Sequence, residues 1–344
     1  MDSCLLCGDP QQPSEYMREG VSVLDEHGVE FRTMDWNGDL DAAAFRDVTM
    51  DMESRGPNDY DASDIVDRIE GVEILVVHKA PVGRAVFEAG DDLQVVAAAR
   101  GGTENVDVDA ASEHGVTVLH APGRNANAVS DYAVTFGLAA HRRIPSFTRT
   151  TSGGEWALEF DPDGLPRDIE ELTVGIVGFG NIGRKVSKRY GGFGPDILAY
   201  DPYVDDETVR EYGAEPAGLE KLLSGADIVT LHVRLTAETA EMIDADAFDR
   251  MSESTLLVNT ARGGLVDEDA LVAALRDNEI RAAALDVFQA EPLPTDHPLL
   301  ALDNAHLSPH TAGSTRDAVL NGSRIVADDI AAILSGEEPK HTVG

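Results

Sequence analysis

The sequence predicts an α/β protein made of two doubly wound parallel-sheet domains. Short apolar runs rich in β-branched residues alternate with helical patterns over most of its 344 residues. The alternation breaks at Pro122-Gly123 and restarts at Leu172, and the chain is too long for one ordinary core. The restart opens on a strand, a glycine turn and a helix, a combination that the first half lacks.

Strands are expected at 3–7 and 29–34, with a helix over 13–27 between them. The acidic stretch 35–61 is poorly periodic and reads as loop with a short helix near 41–46. Helix 62–70, strand 72–77, helix 83–89, strand 93–98, helix 106–114 and strand 116–119 follow with short connections. Such repetition means a parallel sheet with helices on both faces, here in a flavodoxin-like layout. A long amphipathic helix is expected over about 127–142. Residues 144–170 read as irregular and acidic, broken by Gly153-Gly154 and Asp161-Pro-Asp-Gly164. Later strands are placed at 172–177, 197–200, 227–231, 255–259, 281–285 and 305–307, and helices at 184–190, 218–224 and 267–278. A last helix, about 315–334, runs to a polar tail. Were it to pack back on the first half, residues 1–122 and 312–344 would form one domain and 123–311 an inserted second. Two crossings of that kind make a hinge over a cleft.

The restart carries the clearest chemistry. Strand 172–177 leads into Gly178-x-Gly180-x-x-Gly183 and a helix. Gly178 permits the turn, Gly180 lets backbone approach a pyrophosphate, and Gly183 allows close packing of helix on strand. The helix start offers free N–H groups and partial positive charge to phosphates. The next strand ends in Asp201, whose carboxylate suits the ribose hydroxyls of NAD and repels the 2′-phosphate of NADP. Together these read as a Rossmann-type dinucleotide site.

Charge sets the protein's surroundings. Asp and Glu total 63 against 27 Lys and Arg, a net charge of −36, with only five lysines. The acids are spread along the chain, which suggests an adaptation to concentrated salt, where self-repulsion is screened. The same charge argues against nucleic acid or an anionic membrane as partner. An anionic substrate must then be held by local positive groups. No apolar run reaches the roughly 18 residues of a membrane span, and no basic, apolar-cored leader opens the chain, so a cytoplasmic protein is expected. Cys4-x-x-Cys7 is compatible with metal or redox chemistry, but two ligands cannot complete a zinc site. The pair falls in the first strand and reads as buried small hydrophobes, so no metal is expected.

Three later segments each start where an expected strand ends: Val258-Asn-Thr-Ala-Arg-Gly-Gly264, Ala284-Leu-Asp-Val-Phe-Gln-Ala-Glu-Pro292 and Leu307-Ser-Pro-His-Thr-Ala-Gly313. Ligands of open α/β sheets bind beyond such strand ends. Arg262 can grip a carboxylate with its planar fork. His310 can pass a proton to and from a carbonyl oxygen, and Glu291 can fix its tautomer and favour its charged form. Singly, each is also a plausible surface turn, loop acid or loop histidine.

With these residues in this order the chain resembles the D-isomer-specific 2-hydroxyacid dehydrogenases, and among them the phosphoglycerate-dehydrogenase-like members. The resemblance implies two domains with the cofactor domain inserted, and a catalytic set of Arg262, Glu291 and His310. It implies NAD contacts at Gly178, Gly180, Asn181, Ile182, Gly183, Asp201, His232, Val233, Thr260, Ala261, Asp286 and Gly313, with Asp286 at the nicotinamide carboxamide. Ala99-Arg-Gly-Gly-Thr-Glu-Asn-Val-Asp107 looks like the family's glycine loop, which puts the Gly101 and Gly102 backbone on the substrate carboxylate. The family usually forms dimers, largely through the cofactor domain and the helix near 127–142. Three features depart from the phosphoglycerate type. His78-Lys79 stands where those enzymes carry Arg-Ser, Arg234 stands where the family usually has Pro, and the chain ends at Gly344 with no room for a regulatory domain. His78 and Lys79 are therefore candidates for the substrate's far end, though Lys79 is also read as a solvated strand-end lysine. Arg234 either meets a cofactor phosphate or sits on the rim.

The activity implied is hydride transfer between NAD(H) and a D-2-hydroxy acid/2-keto acid pair: 3-phosphoglycerate, glycerate/hydroxypyruvate or glyoxylate. The alternative is an NAD(H)-sensing, non-catalytic protein of the corepressor type, which uses the same fold. A formate dehydrogenase is disfavoured because it pairs its histidine with Gln. An L-specific lactate or malate dehydrogenase is disfavoured because its glycine motif opens the chain.

Overall fold

In the computed structural model, which describes residues 1–156 and 165–343, the chain forms two compact units. One comprises Met1–Asn125 with Thr315–Gly344, the other Ala126–Ser314. The chain thus crosses between units three residues beyond each position read from the sequence.

The first unit is built on a six-stranded sheet. Its elements begin with β1 (Ser3–Gly8), α1 (Ser14–Gly20), β2 (Glu30–Asp35), α2 (Ala42–Arg55), α3 (Ser63–Val66) and β3 (Ile74–Val77). They continue with α4 (Arg84–Ala89), β4 (Val95–Ala98), α5 (Val108–Glu113) and β5 (Thr117–His120). The order β5-β4-β3-β1-β2 is parallel throughout, so the topology reverses between β1 and β3. β3 and β4 are buried at every position, as strands covered on both faces must be. Cys4 and Cys7 are buried in two separate apolar clusters on opposite faces of β1, and burial pushes both thiols well above their ordinary value.

The helix expected over 13–27 stops at Gly20 and continues as a 3₁₀ turn, Ser22–His27, ended by Gly28 in the left-handed region. Gly20 lies where a Cβ would press on Ser323, so close packing against the last helix takes precedence over helix propensity. The short helix expected near 41–46 is longer, Ala42–Arg55. Asp41 caps it by accepting from the N–H groups of Ala43 and Ala44, and Phe45, Thr49 and Met52 form its only buried stripe.

The second unit has seven strands. It opens with α6 (Ala126–His141) and α7 (Ile144–Ser152), and its sheet starts at β6 (Thr173–Val177), α8 (Asn181–Gly191) and β7 (Asp196–Tyr200). Then come α9 (Asp206–Glu211), β8 (Glu215–Pro216), α10 (Leu219–Gly225), β9 (Ile228–Leu231), α11 (Ala245–Phe248) and β10 (Leu256–Asn259). α12 (Glu268–Arg276), β11 (Ala282–Leu285) and β12 (Ala305–Leu307) complete it. The order β12-β11-β10-β9-β6-β7-β8 is parallel and reverses between β6 and β9, the Rossmann arrangement. α7 corrects the irregular reading of 144–170: Pro145 sits in its first turn, where proline starts helices. The Asp161-Pro-Asp-Gly164 turn lies outside the described residues. α13 (Arg316–Leu334) returns to the first unit, and the polar tail adds β13 (Thr342–Val343), antiparallel to β5.

Candidate active site

The glycine turn lies at the reversal of the second sheet. Gly178 takes φ 94°, open only to glycine at low cost, and a Cβ there would overlap the backbone of His232 and Val233 at the end of β9. A Cβ on Gly183 would overlap the carbonyl of Gly178, whereas one on Gly180 would meet nothing within 4 Å. Two glycines thus serve internal packing, and the third leaves a bare backbone surface. α8 begins at Asn181 without a side-chain cap, so the first-turn N–H groups of Asn181, Ile182 and Gly183 remain available. Asp201 accepts from the N–H of Phe179 at 2.8 Å and of Tyr203 at 2.9 Å, which ties the end of β7 to the glycine turn. A carboxylate has about four acceptor sites, so capacity remains.

Two buried polar atoms just past the ends of β9 and β10 have no partner among the described residues: Nδ1 of His232 and Oγ1 of Thr260. His232 Nε2 meets Thr230 Oγ1 at 2.9 Å, and burial of the ring holds its pKa down at about 3. A neutral ring, an open glycine backbone, free helix N–H groups and unsatisfied acceptors or donors fit a dinucleotide.

The strand-end segments carry the rest. Asn259 closes β10 with an Asx turn: Oδ1 accepts from Ala261 N at 3.0 Å and Nδ2 donates to Arg262 O at 2.9 Å. Arg262 is exposed and donates to Ala261 O at 2.7 Å, with no carboxylate partner among the described residues. A Cβ on Gly263 would overlap the Phe288 backbone, so the Arg262 turn packs directly on the segment after β11. In that segment Glu291 Oε1 accepts from Phe288 N at 3.0 Å, and its Oε2 accepts from His310 Nδ1 at 2.7 Å. The Glu291 side chain is 14% exposed and that of His310 45%, so the ring's far edge stays open to a ligand.

His310 has φ 51°, a left-handed conformation that costs a non-glycine residue of order 1–2 kcal/mol. Asp286 imposes it. This carboxylate is fully buried and accepts from Ser308 Oγ at 2.6 Å, Thr311 N at 2.9 Å and Ala312 N at 2.8 Å. Asp286, expected at the nicotinamide carboxamide, grips the loop on both sides of His310. The geometry therefore brings Glu291 to His310, links both to Arg262 through Gly263 and Phe288, and adds Asn259, Gly263 and Asp286 as supports. An Asn closing a strand before a turn was the one available sequence signal for the first.

In the first unit, His78 is 2% exposed and its Nδ1 donates to Asp9 Oδ2 at 2.9 Å. Lys79 N donates to the same oxygen at 3.0 Å. His78, expected on the substrate side, is thus interior, and its partner Asp9 carries no local sequence signal. Gly101 O accepts from His120 Nδ1 at 2.9 Å. Arg234 is exposed. Among the described residues no cluster of three or more His, Cys, Asp or Glu could hold a metal, and no helix is long and apolar enough to cross a membrane.

A family model described as the NAD binding domain of D-isomer specific 2-hydroxyacid dehydrogenases matches residues 134–312. The chain belongs to this family. The match falls within the second unit of this D-isomer specific 2-hydroxyacid dehydrogenase family member and spans the glycine turn, Arg262, Glu291 and His310. The chain is 39% identical over 281 residues to a glyoxylate reductase of Korarchaeum cryptofilum, covering 81% of this chain and 85% of that one. It is 39% identical over 282 residues to a D-3-phosphoglycerate dehydrogenase of Methanocaldococcus jannaschii, covering 81% of this chain and 53% of that one. It therefore spans about half the length of the phosphoglycerate dehydrogenases that it matches. A D-lactate dehydrogenase structure with NAD+ from Lactobacillus jensenii superposes with a TM-score of 0.79 at 26% identity, over 99% of both chains.

Proposed function

We propose that the protein is an NAD-dependent dehydrogenase that interconverts a D-2-hydroxy acid and its 2-keto acid. 3-Phosphoglycerate, glycerate/hydroxypyruvate and glyoxylate are the candidate pairs. The Glu291–His310 pair, at 2.7 Å with the ring edge open, carries this reading. Bound NAD(H) supplies or accepts the hydride. Arg262 holds the substrate carboxylate, aided by the Gly101 and Gly102 backbone. In reduction, protonated His310 gives its Nε2 proton to the carbonyl oxygen; in oxidation it takes the hydroxyl proton back. Glu291 keeps the Nδ1 proton in place and stabilises the ring's charged form. Asp286 acts by holding the His310 loop. Gly178, Gly180, Asn181, Ile182 and Gly183 receive the pyrophosphate, Asp201 the adenosine ribose, and His232, Val233, Thr260, Ala261 and Gly313 line the remainder. Lys79 faces the substrate, and His78 supports it through Asp9.

NADH oxidation with glyoxylate, hydroxypyruvate, pyruvate and phosphohydroxypyruvate at high salt tests the activity. Turnover that survives His310→Ala undiminished would overturn the role of His310. No turnover, with NADH-dependent self-association, would favour the sensing alternative.

The protein works as a cytoplasmic homodimer in concentrated salt. α7 buries none of its residues, and Ile144, Phe147 and nearby Trp156 are 54%, 41% and 77% exposed. No Asp or Glu occurs from Tyr132 to Gly154 in a chain of net charge −36. An apolar surface without acids suits contact with a second copy, which would otherwise be repelled. Light scattering as a function of salt tests the assembly.

A further inference from the structure

The chain has 63 acidic and 27 basic residues, so a buried base has many possible carboxylate partners. Among the described residues, two bases at the strand ends of the first sheet lack one. The Lys79 ammonium, after β3, donates to Thr49 Oγ1 at 3.5 Å. Arg124, after β5, donates to the carbonyl of Ala318 at 3.0 Å, with its side chain beside Gly322 and the Ala99 carbonyl. Between them, after β4, lies Arg100. Its Nη2 pairs with Glu53 at 2.6 Å and Glu104 at 3.1 Å, while its Nη1 is buried with no partner among the described residues. Thr49 and Glu53 are one turn apart on α2, so Lys79 and Arg100 reach adjacent places on one helix face. His78 is 2% exposed, and its Nε2 is also buried, with no partner among the described residues.

The three bases feel one another. Burial and the neighbouring Arg100 push Lys79 below the ordinary lysine value, partly offset by Glu53 and Asp9. Burial and Arg100 likewise push Arg124 down, and only Asp9 opposes. Asp9 is already engaged by His78 and the backbone of Gln11, Gln12 and Lys79. Desolvated cations without carboxylates are costly, and a bound anion removes that cost. The location matches: β1 and β3 flank the reversal point of this sheet, where open α/β sheets take ligands.

We propose that Lys79, Arg100 and Arg124 form a seat for the second anionic group, a carboxylate or a phosphate, of a doubly charged 2-keto or 2-hydroxy acid. The proposal rests on the dehydrogenase reading and narrows its substrate class. Lys79 and Arg124 contribute the uncompensated charge, and Arg100 contributes the free Nη1 donor.

The test is equilibrium binding to the full chain, by calorimetry at fixed salt with NADH present, so that it does not depend on turnover. The probes are 2-oxoglutarate, phosphohydroxypyruvate and, as a singly charged control, 2-oxopentanoate. At least one doubly charged acid is expected to bind about 10–100-fold tighter than the control, as loss of a charge-assisted contact predicts. Lys79→Met and Arg124→Met should each remove most of that preference, and Arg124→Lys should retain part of it. Preference for phosphohydroxypyruvate identifies a phosphate, and preference for 2-oxoglutarate a carboxylate. Equal affinity for all three acids overturns the seat, as does a preference that survives Lys79→Met in a variant shown to be folded. Turnover of 2-oxopentanoate without any preference removes the seat and leaves the dehydrogenase standing. A preference without hydride transfer does the reverse.

Discussion

Asp9–His78 in the first unit and Glu291–His310 in the second have nearly the same bond, Nδ1 to carboxylate at 2.9 and 2.7 Å. Their surroundings differ. The His78 side chain is 3% exposed and that of His310 45%. Burial drives His78 below the ordinary histidine value, and Asp9 only partly opposes it. Asp9 itself is held below the usual carboxylate range, because His78 and the N–H groups of Gln11 and Gln12 outweigh its burial. The inner pair is therefore a buried bond in which burial works against the charged ring and the carboxylate works for it. The outer pair can exchange protons with water or a substrate. A carboxylate–histidine bond alone does not make an acid–base catalyst; access to Nε2 decides.

Breaking the two pairs should give opposite signatures. His310→Ala should lower kcat about 10²–10⁴-fold, with little change in the unfolding midpoint, because the side chain is half exposed. Turnover within a few-fold of wild type would remove His310 from the chemistry. Asp9→Asn should instead cost about 1–3 kcal/mol of stability, since it leaves buried donors facing an amide. Denaturant titration reads this directly, and a loss under about 1 kcal/mol would mean that the pair holds little together. Glu291→Gln keeps an acceptor for Phe288 N but loses the charge that favours a protonated His310. A roughly 10–100-fold fall in reductive kcat is expected, measured with KM to separate it from binding.

Much of this was legible in the sequence because the functional residues sit on short strand-end motifs. The glycine turn and Arg262 follow runs whose apolar character marks a buried parallel strand, and Glu291 and His310 follow the short runs Ala282–Leu285 and Ala305–Leu307. What escaped depends on contacts across the chain or on brevity. Asp9 meets His78 69 residues later, and nothing local marks it. Gly263 matters because Phe288 packs on it, a fact of tertiary structure. Asp286 was legible as a position, but its work on the His310 loop appears only in three hydrogen bonds. α2 was cut short because its buried stripe includes a polar Thr49 among acids. α7 buries nothing, so its helix has no core-facing pattern to read. β8 and β13 are two-residue edge strands, too short for any period.

The smallest effect expected comes from a third histidine, and it sharpens the contrast between sealed and open rings. His232 is half-buried, its Nδ1 is buried, and burial holds its pKa at about 3. In the unfolded chain an ordinary histidine titrates near 6.5. Between these values the unfolded state binds the extra proton, so stability is full above about pH 6.5 and falls as pH drops. One such group gives at most about 1.4 kcal/mol per pH unit. His78, His141 and His306 are also pushed down, mainly by burial, and add slopes of the same sign. His232→Gln removes one contribution. Its stability should decline less steeply than wild type between pH 6.5 and 5, by about 1 kcal/mol across the interval. Denaturant midpoints at three pH values, at constant salt, measure the difference. Parallel curves would mean that the His232 ring takes up its proton as readily in the folded chain as in the unfolded one.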